Sequence, residues 1–153
     1  MSAIRTPGRL NDNTTLIDIG MLGIYGVTAV YLVRGKKTCL IDAGTRANAP
    51  RLAMLLRELD AFPPDYIVVT HPHWDHAQGI PRLRSAALAQ NKKIEVLASQ
   101  DAIPLLADRA FNDLFHTGPY DSILDVTGVK EGGESGRVEG EGHRGRGRLR
   151  SQG

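Results

Sequence analysis

A chain of 153 residues with 41% hydrophobic and 24% charged side chains has the size and composition of one soluble globular domain, without room for a second full one. Its longest apolar runs are a handful of residues, far below the roughly 20 needed for a spanning helix, so no membrane segment is expected. The formal charge of +2 is unevenly laid out: residues 130–153 hold six Lys/Arg against four Asp/Glu, and the first 129 residues balance at thirteen each.

The N-terminus, Met1-Ser2-Ala3-Ile4-Arg5-Thr6-Pro7, has no apolar core of the kind a secretory signal carries. Cys39 is the only cysteine, so no intrachain disulfide can form; together these point to the cytoplasm. Residues 1–14 are polar and turn-rich and read as a loose lead-in, followed by a short strand over 15–19. Residues 24–34, with Val27, Val30, Tyr31, Leu32 and Val33, have β composition, and Gly35-Lys36-Lys37 turns them into a strand over 38–42, where Cys39 reads as inert core.

After Gly44 the period changes from two to 3.6. Leu52, Leu55, Leu56 and Leu59 fall at i, i+3, i+4 and i+7 with Arg51, Arg57, Glu58 and Asp60 between them, which predicts an amphipathic helix. Thr45 or Asn48 can cap it, Pro50 is tolerated in its first turn, and Phe62-Pro63-Pro64-Asp65 ends it.

The next stretch is Tyr66-Ile67-Val68-Val69-Thr70-His71-Pro72-His73-Trp74-Asp75-His76. Its β-branched run suits a strand buried on both faces and ending at Thr70. Pro72 disfavours the α region for His71, so His71 and His73 leave the strand on extended backbone with their rings on one side. Asp75 and His76 follow from the next turn, adding a carboxylate and a third imidazole. That mixture of nitrogen and oxygen donors suits a borderline ion such as zinc, with manganese or iron also accommodated. Trp74 reads as packing beside the site.

Further on, residues 77–90 predict a helix with Ile80, Leu83 and Leu88 apolar, residues 94–98 a strand, and residues 101–115 a helix kinked or begun at Pro104. Alternating strands and helices place the fold in the α/β class. From Lys130 the composition shifts: glycine supplies eight of the last 24 residues, and Val138 and Leu149 are the only large apolar ones. Such a segment buries too little to offset its ordering entropy, so a domain over 1–129 and a disordered Gly/Arg-rich tail over 130–153 are expected.

His71-x-His73-x-Asp75-His76, behind a hydrophobic strand and ahead of Gly79, resembles the signature of the metallo-β-lactamase superfamily of metal-dependent hydrolases. Thr38-Cys39-Leu40-Ile41-Asp42-Ala43-Gly44-Thr45 is similar to the strand and Asp-x-Gly turn that precede that family's first helix. The resemblance covers roughly residues 20–125. It implies a four-layer αββα sandwich of which this chain holds the N-terminal αβ half. It also implies that His71 and His73 serve one metal ion and Asp75 and His76 another, with Asp75 catalytic as well, and that a metal-activated water attacks an ester, thioester, lactone or related bond in a small-molecule substrate. Asp42 is expected to support the ligand loop through hydrogen bonds. The family's later ligands have no clear counterpart: His116 reads as a helix C-terminal residue, and Gly142-His143 lacks a strand to deliver it. A truncated or frame-shifted, catalytically empty fragment, open to self-association through an uncovered sheet face, is the alternative. A nucleic-acid role for Arg144, Arg146, Arg148 and Arg150 is disfavoured, since no aromatic interleaves them.

Overall fold

Strands β1 (Gly8–Arg9), β2 (Thr14–Asp18), β3 (Ala29–Arg34), β4 (Thr38–Ile41), β5 (Tyr66–Val68), β6 (Glu95–Ser99) and β7 (Val126–Val129) lie side by side in chain order in one sheet. This is a computed structural model, and it describes residues 8–116 and 118–130. Neighbours from β1 to β4 are antiparallel, whereas β4 to β7 run parallel. The parallel half needs crossovers, and helices supply them: α1 (Ala49–Glu58) between β4 and β5, α2 (Trp74–Ala77) and α3 (Ile80–Leu88) between β5 and β6, and α4 (Ala102–Ala107) between β6 and β7.

The helices share one face of the sheet. Leu32, Leu40, Ile67 and Val96 are aligned across β3 to β6 and wholly buried. Leu52 and Leu56 of α1, Ile80 and Leu83 of α3 and Leu106 of α4 join them in one core. Each such leucine or isoleucine contributes about 1.5–3 kcal/mol by leaving water. A sheet with helices on a single side is the αβ half that the family resemblance implies.

Most predicted elements form, and the departures have physical causes. The helix expected over 77–90 starts earlier, at Trp74, and is interrupted at Gln78 and Gly79. There the Ala43 amide donates to the His76 carbonyl at 2.8 Å and the Gly79 amide to the Gly44 carbonyl at 3.0 Å, so backbone groups are committed to the β4–α1 connection. The helix expected through Phe115 stops at Ala107, because Asp108 turns extended and its carboxylate takes the Ala110 amide at 2.9 Å, leaving only a 3₁₀ turn over Asp113–Phe115. Pro104 lies inside α4, near its start.

Two strands were not legible. β1 is a two-residue pairing of the supposed lead-in against Leu16 and Thr15. β7 contains Gly128, where a Cβ would come within 2.9 Å of the Gln100 side chain and 3.3 Å of Ile103 of α4, so the residue that weakens strand propensity is the one that lets α4 and the turn before it approach. The tail expected over 130–153 lies, Lys130 apart, outside the described residues, as does His143. Among the described residues no helix is long and apolar enough to cross a membrane.

Candidate functional site

The histidine-rich turn leaves the C-terminal end of β5, a central strand of the parallel half. The ladder extends one residue past β5, the Val69 amide reaching the Leu97 carbonyl at 2.9 Å. It then ends earlier than the expected Thr70, because the Thr70 amide donates to Asp42 Oδ1 at 2.8 Å. A side chain from the neighbouring strand thus terminates β5 and begins the site. His73 is extended and its carbonyl accepts the amides of His76 and Ala77, which closes α2 and carries Asp75 and His76 back over the strand end.

Asp42 is the hub. It is 6% exposed and has a left-handed backbone, φ 64°, just past the end of β4. Its Oδ2 accepts the Thr70 hydroxyl at 2.7 Å and lies 2.8 Å from His76 Nδ1. These are the hydrogen bonds expected of a residue that supports the ligand loop. With Nδ1–H held by the carboxylate, the neutral ring leaves Nε2 as its free acceptor, and Nε2 faces Asp75 Oδ2 at 3.6 Å.

Gly79 makes this approach possible. A Cβ there would stand 2.0 Å from the Ala43 carbonyl oxygen, so only glycine lets the α2–α3 junction press against the β4 exit. Gly44, at φ 67°, faces Ile19 in the same tight connection.

The three imidazoles gather. The rings of His71 and His76 are 3.9 Å apart and those of His71 and His73 4.9 Å apart, both edge to face. Desolvation pushes the His71 ring below the ordinary histidine range, with His76 and then His73 adding to the shift, which favours the neutral, donor form. His71 Nδ1 is buried and has no hydrogen-bond partner among the described residues. An orphaned ring nitrogen beside two further imidazoles and a carboxylate fits a divalent metal in donor chemistry. The geometry is less complete: among the described residues, no group of three or more His, Cys, Asp or Glu side chains stands in an arrangement that could hold an ion. The rings pack against one another instead of radiating towards one point.

His73 has neighbours that sequence reasoning missed. Phe111 lies tilted against its ring at 5.4 Å and Phe115 edge-on at 5.8 Å. Both were assigned to a helix, and no local pattern marks them as site residues. His116 is exposed with a left-handed backbone at the end of the 3₁₀ turn, and it makes no ring contact with the cluster among the described residues. Trp74 lines a separate cavity of about 340 Å³ with Leu22, Thr45, Arg46, Gln78 and Tyr120, to which no imidazole contributes. The Gln78 amide group exchanges two hydrogen bonds with the Asp121 backbone.

Comparison with known proteins matches residues 22–145 to the model of the Metallo-beta-lactamase superfamily. Among solved structures, a metallo-beta-lactamase of Cronobacter sakazakii described by its HARLDQ motif is 26% identical, covering 69% of this chain and 40% of that one with a TM-score of 0.55. A B3 metallo-beta-lactamase with an active-site glutamic acid is 26% identical over 82% of this chain and 46% of its own, TM-score 0.62. BJP-1, a subclass B3 enzyme of Bradyrhizobium japonicum, is 20% identical over 86% and 47%, TM-score 0.65, a likeness that speaks to the fold alone. The chain therefore spans less than half the length of each. No curated protein sequence matches it.

Proposed function

The chain belongs to the metallo-beta-lactamase superfamily, and on that premise we propose that its histidine-rich turn is part of a metal-dependent hydrolytic centre. His71, His73, Asp75 and His76 would hold the metal, zinc in the first instance, with manganese or iron also suited to the donors. When bound, the ion supplies a water acidified towards neutral pH and a Lewis acid for the developing oxyanion. The remaining work falls to the chain. Asp42 fixes the tautomer and direction of His76 and ties the Thr70 end of the strand to it. Phe111 and Phe115 exclude water from one side of His73. Asp75, 3.6 Å from His76 Nε2, is the carboxylate placed to take up a proton during attack.

The observation that carries this reading is the 2.8 Å contact between Asp42 and His76 Nδ1, which leaves Nε2 free on the side of Asp75. The substrate would be a small molecule with an ester, thioester, lactone or related bond, and the single half-buried cysteine suits the cytoplasm. A second reading, a metal-binding but catalytically empty half, is favoured by the unclosed donor geometry among the described residues.

The deciding experiment is a calorimetric zinc titration of the full chain and of His71→Ala and Asp75→Ala variants, paired with an ester and lactone assay. Zinc binding lost in His71→Ala together with turnover lost in Asp75→Ala supports the hydrolase. Zinc binding without turnover selects the empty half. No zinc binding in a folded chain overturns both.

A further inference from the structure

The segment between α4 and β7 meets the short helix α2 at both of its ends. At the N-cap, Phe111 and Phe115 lie against the ring of His73, 5.4 Å and 5.8 Å away. At the C-cap stands Gln78, 5% exposed. Its carboxamide oxygen accepts the Asp121 amide at 2.9 Å, and its Nε2 donates to the Asp121 carbonyl at 3.1 Å. A carboxamide carries a donor and an acceptor side by side, so it pairs with both backbone groups of one residue as a neighbouring strand would. The two contacts belong to one circuit, because Arg109, two residues before Phe111, donates from Nε to the carbonyl of Tyr120 at 3.2 Å, next to Asp121. Gln78 is itself a fixed post. Its amide donates to the Trp74 carbonyl at 3.1 Å, and that of Gly79 to the Gly44 carbonyl at 3.0 Å.

We propose that Gln78 is a positioning residue: by holding Asp121, and through the Arg109–Tyr120 bond the start of the same segment, it keeps Phe111 and Phe115 against His73 and so fixes where that imidazole stands. The ring of His73 is bounded by other rings, His71 at 4.9 Å on one side and the two phenylalanines on the other. Ring contacts limit a position without aiming it, so the placing of the phenylalanines decides where the imidazole sits. His76 is aimed differently, by the 2.8 Å contact of its Nδ1 with Asp42. Gln78 therefore bears on one arm of the cluster and leaves the other to Asp42. Were Gln78 only a partner for two backbone groups, its loss would disturb both arms or neither. That the placed ring serves a metal ion rests on the hydrolase reading; the placing itself is a property of the metal-free chain.

The test is the proton–carbon NMR spectrum of the histidine rings in the full chain without metal, compared among wild type, Gln78→Met and Asp121→Ala. Methionine keeps the length and helix propensity of glutamine and lacks the amide. An aromatic ring shifts the protons held against it, so the His73 ring resonances in Gln78→Met should move towards those of an unfolded chain, while those of His76 stay in place. Asp121→Ala removes the 3.2 Å ion pair with Arg46 and keeps the backbone groups that Gln78 binds, so it should leave His73 where it is. In a zinc titration of the same proteins, Gln78→Met should bind about tenfold more weakly with the number of ions unchanged. His73 resonances that do not move in Gln78→Met overturn the proposal, as do resonances that move together with those of His76 or move as far in Asp121→Ala. Wild-type chain that binds no zinc would remove the hydrolase reading and leave the ring resonances to decide the placing. Should Gln78→Met fail to fold, hydrogen exchange of the wild type decides: an Asp121 amide protected at least about tenfold over an unfolded chain supports the tie, and free exchange overturns it.

Discussion

The two arms of the histidine cluster are held by different kinds of structure. His76 is tied into the sheet: its ring bonds to Asp42, its carbonyl accepts the Ala43 amide, and Asp42 also holds the end of the neighbouring strand. His73 instead meets two phenylalanines from the irregular segment after α4, one half-buried and one 50% exposed. One arm is fixed by directional bonds between adjacent strands, so its geometry comes with the fold. The other depends on a segment whose own hold on the core is slight, which is where a site keeps its freedom to adjust.

The comparison breaks most decisively at Gly79. Gly79→Ala puts a methyl group 2.0 Å from the Ala43 carbonyl, and since that neighbour is backbone the junction must move. A loss of about 3 kcal/mol in urea unfolding is expected, together with loss of zinc binding. An unchanged unfolding midpoint would show the anchored arm to be looser than described.

Asp42→Ala comes next. It leaves the Thr70 amide and His76 Nδ1 without their acceptor, which should destabilise the chain by about 2–3 kcal/mol. Asp42→Asn keeps an acceptor for Thr70 and should cost less, while lowering zinc affinity without changing the number of ions bound. Loss of a whole equivalent in the calorimeter would make Asp42 a direct ligand.

On the other arm the effect should be on affinity instead of stability. Phe111→Ala is expected to keep the unfolding free energy within about 1 kcal/mol of wild type and to weaken zinc binding severalfold. A collapse in stability would mean that the segment after α4 is as firmly built in as the sheet.

The smallest effect is read through Cys39, which sits in β4 three residues before Asp42. Burial pushes its thiol above the usual range, partly opposed by a hydrogen bond from the Val68 backbone. A raised value means less thiolate at a given pH, so alkylation of the folded chain should be slower than that of an unfolded control and should reach half its limiting rate at a higher pH. Asp42→Ala, by loosening the strand ends, should move both towards the control; identical profiles would deny the link.

Much of this was legible in the residues. The 3.6-residue leucine spacing of α1, the β-branched run of β5 and the spacing of His71, His73, Asp75 and His76 are local patterns, and local patterns follow from backbone periodicity alone. Even Asp42 could be suspected, because it ends a strand beside the motif.

What the tertiary structure decided is of another kind. The β7 strand exists because β6 offers its edge and Gly128 lets α4 come close, although four residues with a glycine among them carry little propensity of their own. The helix after the motif breaks at Gly79 because its backbone groups are claimed from across the sheet, and Phe111 and Phe115 reach His73 because Asp108 ends α4 early. The same pairing aligns Leu16, Tyr31, Ile41, Val68, Leu97 and Thr127, scattered over six strands, in one row. The sequence by itself determined which side chains were available and the period on which each element repeats them. Register, strand order and the competition for backbone hydrogen bonds are settled between segments far apart in the chain, and only the folded molecule puts those segments in contact.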